Sequence, residues 1–358
     1  MRLIFVSKRE PQQRDLIERP YGRFHWLPVE LARCGHVVGQ LLVSHRDAPP
    51  ATLDRQRVLI TTFNPRNAGF RRTLLALEAE VRAFGPDWII GCSDTWYGWL
   101  AAHLAKRTGA RLAIDAYDDY ESYMPWNLPL HWAWRRALRQ ADLVTAAGPE
   151  LAHLLDRQRT GKAPAVVLPM AADPEFVPMD RASCREALGL NIEGQYVGYV
   201  GSWSASRGSD ALLAAFRLAR SRHPDLRLLV SGRPPTAVQA EPGVIATGYL
   251  PDAQMPLLLN ALDVACVVTA DTAFGRSSYP AKLCEAMACG VPVVATRTAP
   301  VAWMLDQQPR HLAPLDDPAA FAGQILAQLD SPAADYPTRL SWADIARDLE
   351  QALLQSCD

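Results

Sequence analysis

Lysine is nearly missing from this chain of 358 residues: Lys8, Lys106, Lys162 and Lys282 stand beside 33 arginines. The formal net charge is −1, so no excess of one sign argues for nucleic acid or an anionic surface as a global partner. No apolar run approaches the roughly 18 residues of a membrane span, which excludes an integral helical membrane protein. The first residues, MRLIFVSKRE, run straight into a strand-like segment and lack the shape of a signal peptide. The seven cysteines (34, 92, 184, 266, 284, 289 and 357) are odd in number, scattered and never spaced C-x-x-C. That excludes a disulfide framework or a zinc ribbon and predicts free thiols in a reducing compartment, hence a cytoplasmic protein. Four chemical signatures are also missing. No strand leads into G-x-G-x-x-G, and there is no P-loop, no G-x-S-x-G elbow and no H-E-x-x-H.

What is present is a globular composition, 49% hydrophobic and 21% charged, in a chain long enough for two cores. Short β-branched or apolar runs alternate with amphipathic stretches from end to end. Strands are expected at 3–7, 37–44, 57–62, 88–92, 112–116, 143–146 and 166–168, then at 196–200, 226–231, 244–247, 264–268 and 293–295. Helices are expected at 24–34, 71–84, 97–107, 209–222, 253–262 and 280–288. Such βαβ alternation predicts parallel sheets covered on both faces. The strands are too many for one comfortable sheet, so two Rossmann-like domains are expected, with residues 169–181 as the linker. Open α/β sheets take ligands beyond the carboxyl ends of their strands, which directs attention to a cleft between the two.

The most informative stretch is 277–296, SSYPAKLCEAMACGVPVVAT. Ser277 and Ser278 are cap-type residues, Pro280 suits a first helical turn, and Gly290 stops the helix before an apolar strand. A helix N-terminus that opens onto a cleft offers free N–H groups and a positive dipole end, a place for a phosphate. Glu285 lies one turn inside, with Lys282 three residues before it on the same side. The bland alternative is a surface Glu and a surface Lys. A second strand–loop–helix passage, YVGSWSASRG at 199–208, carries Arg207, a fixed charge able to grip diphosphate oxygens or simply to cover a solvated turn.

Residues 114–123, IDAYDDYESY, crowd four carboxylates and three tyrosines into one strand end. They would repel unless exposed or paired with Arg, and helix capping on a solvated loop is the plain alternative. In the helix expected at 130–141, Leu130, Trp134, Ala137, Leu138 and Ala141 project to one side, and Trp132, Arg135, Arg136 and Arg139 to the other. Arginines around an exposed tryptophan compose either an interfacial membrane patch or an ordinary basic face.

The phrase EAMACGVPVVA resembles the donor-site signature of the retaining GT-B glycosyltransferases of family four. The likeness extends to Gly201 and Gly208, to VVLPMAADPEFVP at 166–178, to ADLVTAAGPEL at 141–151, and to PYGRF at 20–24. It implies a GT-B fold of two Rossmann-like parallel-sheet domains facing across a cleft. The acceptor-side domain would be 1–170, the nucleotide-sugar domain 171–340, and 341–358 a helix crossing back to the first. By the same resemblance Glu285 would hold the ribose of a UDP- or GDP-sugar. Arg207 stands where a Lys is usual, and Ser202 where an Arg is usual, so Lys282 gains interest as a replacement cation. Gly22 and Arg23 would approach the donor phosphate, and Gly248, Tyr249 and Leu250 the base. Asp118, then Asp119, would face the sugar. Ser277 replaces a second carboxylate, and Tyr279-Pro280 a Phe-Gly pair beside Ser278.

The implied activity is transfer of a sugar to a hydroxyl acceptor with retention, without a metal ion and without nucleic acid. Cell-surface polysaccharide, glycolipid or another glycoconjugate would be the product. A lipid-linked acceptor would suit peripheral contact with the inner face of the cell membrane. Two rivals stand beside it, a sugar-nucleotide 2-epimerase drawing on the acidic cluster and a non-catalytic binding subunit suggested by Ser202 and Ser277.

Overall fold

Leu3, Ile4, Phe5 and Val6 are at most 2% exposed, as a strand covered on both faces requires. The structure, a computed structural model, describes all residues except Ser202, Ala205, Ser206, Thr338, Arg339, Cys357 and Asp358. It divides into two units, Met1–Met170 with Leu340–Asp358, and Ala171–Arg339.

In the first unit the strands are β1 (Arg2–Lys8), β2 (Val37–Val43), β3 (Thr52–Arg55), β4 (Val58–Phe63), β5 (Trp88–Cys92), β6 (Arg111–Ala116), β7 (Leu143–Ala146) and β8 (Val166–Val167). They are ordered β3-β4-β2-β1-β5-β6-β7-β8. All pairs are parallel except β3 with β4, so Leu3 lies beside Val38 on one side and Trp88 on the other. The crossovers are α1 (Gly22–Arg33), α2 (Pro65–Ala68), α3 (Phe70–Phe84), α4 (Thr95–Thr108), α5 (Leu128–Gln140) and α6 (Pro149–Gln158). Gly98 shows how tightly α4 and α5 meet: a Cβ there would lie 2.4 Å from the ring of the buried Trp134.

The second unit runs α7 (Arg181–Ala187), β9 (Tyr196–Tyr199), α8 (Ser209–Arg222), β10 (Arg227–Ser231), α9 (Thr236–Gln239), β11 (Val244–Gly248), α10 (Met255–Asn260), β12 (Val264–Val267), α11 (Ala273–Ser277), α12 (Ala281–Ala288), β13 (Val293–Thr296), α13 (Ala299–Met304), β14 (Leu312–Ala313) and α14 (Pro318–Asp330). Its strands are parallel in the order β11-β10-β9-β12-β13-β14.

The last helix, α15 (Trp342–Gln355), belongs to the first unit and packs on α1. Ser341 and Asp344 close a capping box at its start. Trp342, Ile345, Ala346, Leu349 and Leu353 form its buried stripe at helical spacing. His36 Nε2 lies 2.7 Å from Glu350 Oε1 beside it. The six described cysteines are free thiols, four of them buried; Cys357 lies outside the described residues.

Candidate functional site

Three loops meet at the carboxyl edge of the second unit's sheet. The loop leaving β9 turns at Gly201, whose φ of +139° few side chains tolerate. Its N–H donates to Ser231 Oγ at 3.0 Å, fixing it to the end of β10. A Cβ on Gly201 would lie 2.5 Å from Lys282 Nζ, so the glycine is what lets that ammonium approach the backbone. Lys282, in the first turn of α12, sits 4.6 Å from the centroid of the Tyr199 ring. Burial first and the charge of Arg207 second push its pKa down to about 8, with Glu285 pulling the other way. Arg207 is exposed, just before the left-handed Gly208 that opens α8. Two cations and a carboxylate thus share one neighbourhood at two helix starts.

Neither start carries a side-chain cap: the residue before α8 is Gly208 and that before α12 is Pro280. The α1 start at Gly22 has none either, whereas Asp94, Asn127, Asp317 and Ser341 cap α4, α5, α14 and α15. Ser209 N–H already donates to Ser204 O at 3.4 Å and Leu283 N–H to Pro280 O at 2.9 Å, so it is the neighbouring first-turn N–H groups of α8 and α12 that can meet an anion. Ser209, fully buried at the head of α8, has a hydroxyl with no hydrogen-bond partner among the described residues. Beside them Gly232 N–H donates to Gly248 O at 2.7 Å, joining the ends of β10 and β11. Tyr249 is 79% exposed there, with the Arg233 guanidinium 5.7 Å from its ring. Leu250 turns its side chain into the core.

Several expectations need correcting. Ser277 ends α11 and Ser278 follows it; neither caps α12, because the chain reaches that helix through Tyr279 and Pro280. The Tyr279 ring is buried, edge-on to Trp303 at 5.8 Å, which leaves only its backbone for a ligand. Ser202 lies outside the described residues.

In the first unit Arg23 does not reach outward. Its guanidinium is buried and grips Asp115 through two bonds of 2.6 and 2.7 Å, and donates to the carbonyls of Leu168 and Pro169 at 3.0 Å. Thr145 Oγ1 adds a third bond to the same carboxylate at 2.5 Å. The pair ties α1 to β6, β7 and β8, so the outward-facing candidate at this corner is the backbone of Gly22, not the charge of Arg23. The acidic cluster separates in the same way. Glu121 is clamped by Arg135 at 2.5 and 2.8 Å. Asp118, 8% exposed, accepts from Tyr123 OH at 2.5 Å. Asp119 is half-buried, and burial followed by the nearby Glu121 pushes its pKa up. Sequence alone placed four acids together without showing that two are spent on arginines.

On α5 the apolar stripe is buried and Trp132 is 62% exposed, with the Arg136 guanidinium 5.7 Å from its ring. Arg135 is the clamp on Glu121, so the outer face keeps Arg136 and Arg139 as exposed cations. Among the described residues no three His, Cys, Asp or Glu side chains gather as a metal site, and no helix is long and apolar enough to cross a membrane.

Two parallel-sheet α/β units in one chain are the GT-B class of fold. The chain is similar to the sucrose-phosphate synthase tll1590 of Thermosynechococcus elongatus, at 18% identity and TM-score 0.73 over 99% of this chain and 97% of that one. It is equally similar to Anabaena Alr3699/HepE, solved in complex with UDP and glucose, at 16% identity and TM-score 0.73 over 99% of each chain. The sequence model of the glycosyl transferases group 1 matches residues 194–331, and that of the glycosyl transferase 4-like domain matches 22–171. The chain belongs to this family of glycosyl transferases. A D-inositol 3-phosphate glycosyltransferase of Segniliparus rotundus is 31% identical over 172 residues, which is 44% of this chain and spans 37% of that relative's length.

Proposed function

We propose that this protein moves a glycosyl group from a nucleotide diphosphate sugar to a hydroxyl acceptor, with retention at the anomeric carbon. The observation that carries the reading is the convergence of Lys282 and Arg207 at two uncapped helix starts with Glu285 one turn on. In this reading the donor diphosphate lies on the N–H groups of α8 and α12, between the two cations. Glu285 accepts the ribose hydroxyls, and the backbone of 248–250 takes the base edge. Asp118 and Asp119 are the first unit's candidates for the sugar hydroxyls, and Gly22 for a phosphate.

As the bond from the anomeric carbon to the diphosphate oxygen breaks, negative charge builds on the diphosphate, where preorganised cations and dipoles stabilise it most. The acceptor oxygen bonds to the same face, and the departing oxygen takes the acceptor proton. With the departing oxygen in that role, no separate strong base is needed. The donor is a UDP- or GDP-sugar. The fit of an Alr3699/HepE structure with UDP and glucose to this chain's fold supports testing UDP-sugars first. The reaction runs without a divalent metal, in the cytoplasm, with Trp132, Arg136 and Arg139 bringing the first unit to an anionic membrane surface and a lipid-linked acceptor.

A panel of nucleotide sugars, each with lipid-linked and soluble acceptors, tests this by release of free nucleotide diphosphate. Release that needs acceptor, survives a chelator and falls about 10²–10³-fold in Arg207→Ala is expected. An epimerised donor without release identifies the epimerase. Binding without either identifies the non-catalytic subunit.

A further inference from the structure

We infer that the first unit carries a bay for the hydrocarbon chain of the acceptor, an assignment that rests on the transferase reading above. A cavity of about 260 Å³ lies between α3 and α4, where β2 ends at Val43. Its walls are Phe70, Leu74 and Leu77 of α3 and Trp96, Trp99 and Leu100 of α4. Trp99 holds the wall as one aromatic block, stacked on Phe70 at 6.5 Å and edge-on to Trp96 at 5.9 Å. Phe70 and Trp96 are 57% and 47% exposed, so the bay is open at its mouth rather than a sealed packing fault.

The polar groups on the wall are few and largely bonded within the protein. Thr73 Oγ1 donates to Gly69 O at 3.0 Å. Tyr97 OH donates to Val43 O at 3.4 Å and meets His45 Nε2 at 2.9 Å. A sugar ring pushed into the bay would bury hydroxyls without partners, which is costly, whereas a hydrocarbon loses nothing. Size bounds the guest: a cavity of about 150 Å³ holds benzene, so this one holds about ten carbons.

Position ties the bay to the acceptor. It opens at the carboxyl edge of the first unit's sheet, the edge that carries Asp118. An acceptor with its hydroxyl beside Asp118 and its chain over Trp96 would lie along that one edge, past the carboxyl ends of β2, β5 and β6. The exposed Trp126, Leu128 and Trp132 of the same unit suit the bilayer interface where such a chain resides. A chain longer than about ten carbons runs out past Phe70 and Trp96 into that interface.

The test uses n-alkyl glucosides from hexyl to tetradecyl, below their micelle thresholds, titrated against the full chain by calorimetry. Affinity should rise about fourfold per methylene, the equivalent of ~0.8 kcal/mol, and level off near ten carbons. Leu74→Trp fills the bay and should flatten the series. Trp99→Ala enlarges it and should move the plateau to longer chains. Far-UV circular dichroism and a retained cooperative thermal transition of the full chain show that the first unit of each variant is folded. A flat series in the parent protein, or a series that neither variant alters, overturns the bay. Chain-dependent binding with no sugar transfer from any donor would overturn the transferase reading and leave the bay standing. Transfer to soluble acceptors with a flat alkyl series would do the reverse.

Discussion

Lys282 offers a sign-specific prediction. Its pKa is pushed down to about 8 from an ordinary 10.5, by burial and by Arg207, with Glu285 resisting. A diphosphate placed against it reverses the balance, because two negative groups outweigh one guanidinium. If the bound value returns to the ordinary one, nucleotide binding must take up a proton wherever the free protein has lost it. At pH 8.5 about three quarters of a proton should be taken up, and at pH 7.5 about one quarter. The nucleotide's own last ionisation lies near pH 6, so it contributes nothing in this range. Affinity should be nearly flat around pH 7, begin to fall by pH 7.5 and steepen toward tenfold per pH unit, by up to about 300-fold in all. The same difference is about 3 kcal/mol, which is the expected cost of Lys282→Met at neutral pH. For the free protein the sign is opposite. The unfolded lysine binds more protons than the native one between pH 8 and 10.5, so this group makes stability rise there. Titration calorimetry of UDP and GDP in two buffers of different ionisation enthalpy measures the proton directly. Uptake below a tenth of a proton at pH 8.5, or uptake that persists in Lys282→Met, would refute the reasoning.

Glu285→Gln keeps the shape but loses the charged acceptor, and nucleotide affinity should fall by roughly 1–3 kcal/mol by the same calorimetry. His25 is buried on α1 and its pKa is pulled down to about 4 by burial, then by Arg55 and Arg33. The unfolded histidine therefore binds more protons between pH 6.5 and about 4, and stability should fall across that window by at most about 3 kcal/mol, in urea midpoints, with a shallower slope in His25→Phe. Anionic vesicles should bind the protein reversibly and lose it in high salt, and Trp132→Ala with Arg136→Glu should weaken co-sedimentation while nucleotide affinity stays the same.

The fold class was readable because, the β3 edge apart, both sheets are parallel and their strands are short apolar runs between amphipathic helices. The stripe of Leu130, Trp134 and Leu138 was readable because helical spacing alone decides which side is buried. What escaped detection was short or non-local. The edge strand β3 alternates half-exposed residues in a four-residue stretch, and α13 is six residues long, too brief for any period to declare itself. The Arg23–Asp115 pair joins residues 92 positions apart, so the motif could place Arg23 near a phosphate while the fold turned it inward. Ser277 and Ser278 looked like caps because cap-type residues precede the helix, yet α11 and an extended Tyr279-Pro280 intervene. Arg233 carries no motif, and only the convergence of strand ends brings it to the candidate site. The bay between α3 and α4 is likewise invisible in one dimension, because its Trp and Leu residues read as ordinary core.

The central claim is tested most directly by following one reaction in real time by proton NMR. An α-linked nucleotide sugar is mixed with the protein and a lipid-linked hydroxyl acceptor, and the anomeric proton and the free nucleotide are observed together. The account predicts an α-linked product formed in step with nucleotide diphosphate, at a rate that collapses in Arg207→Ala. A β-linked product, or no product from any donor that binds, would contradict it.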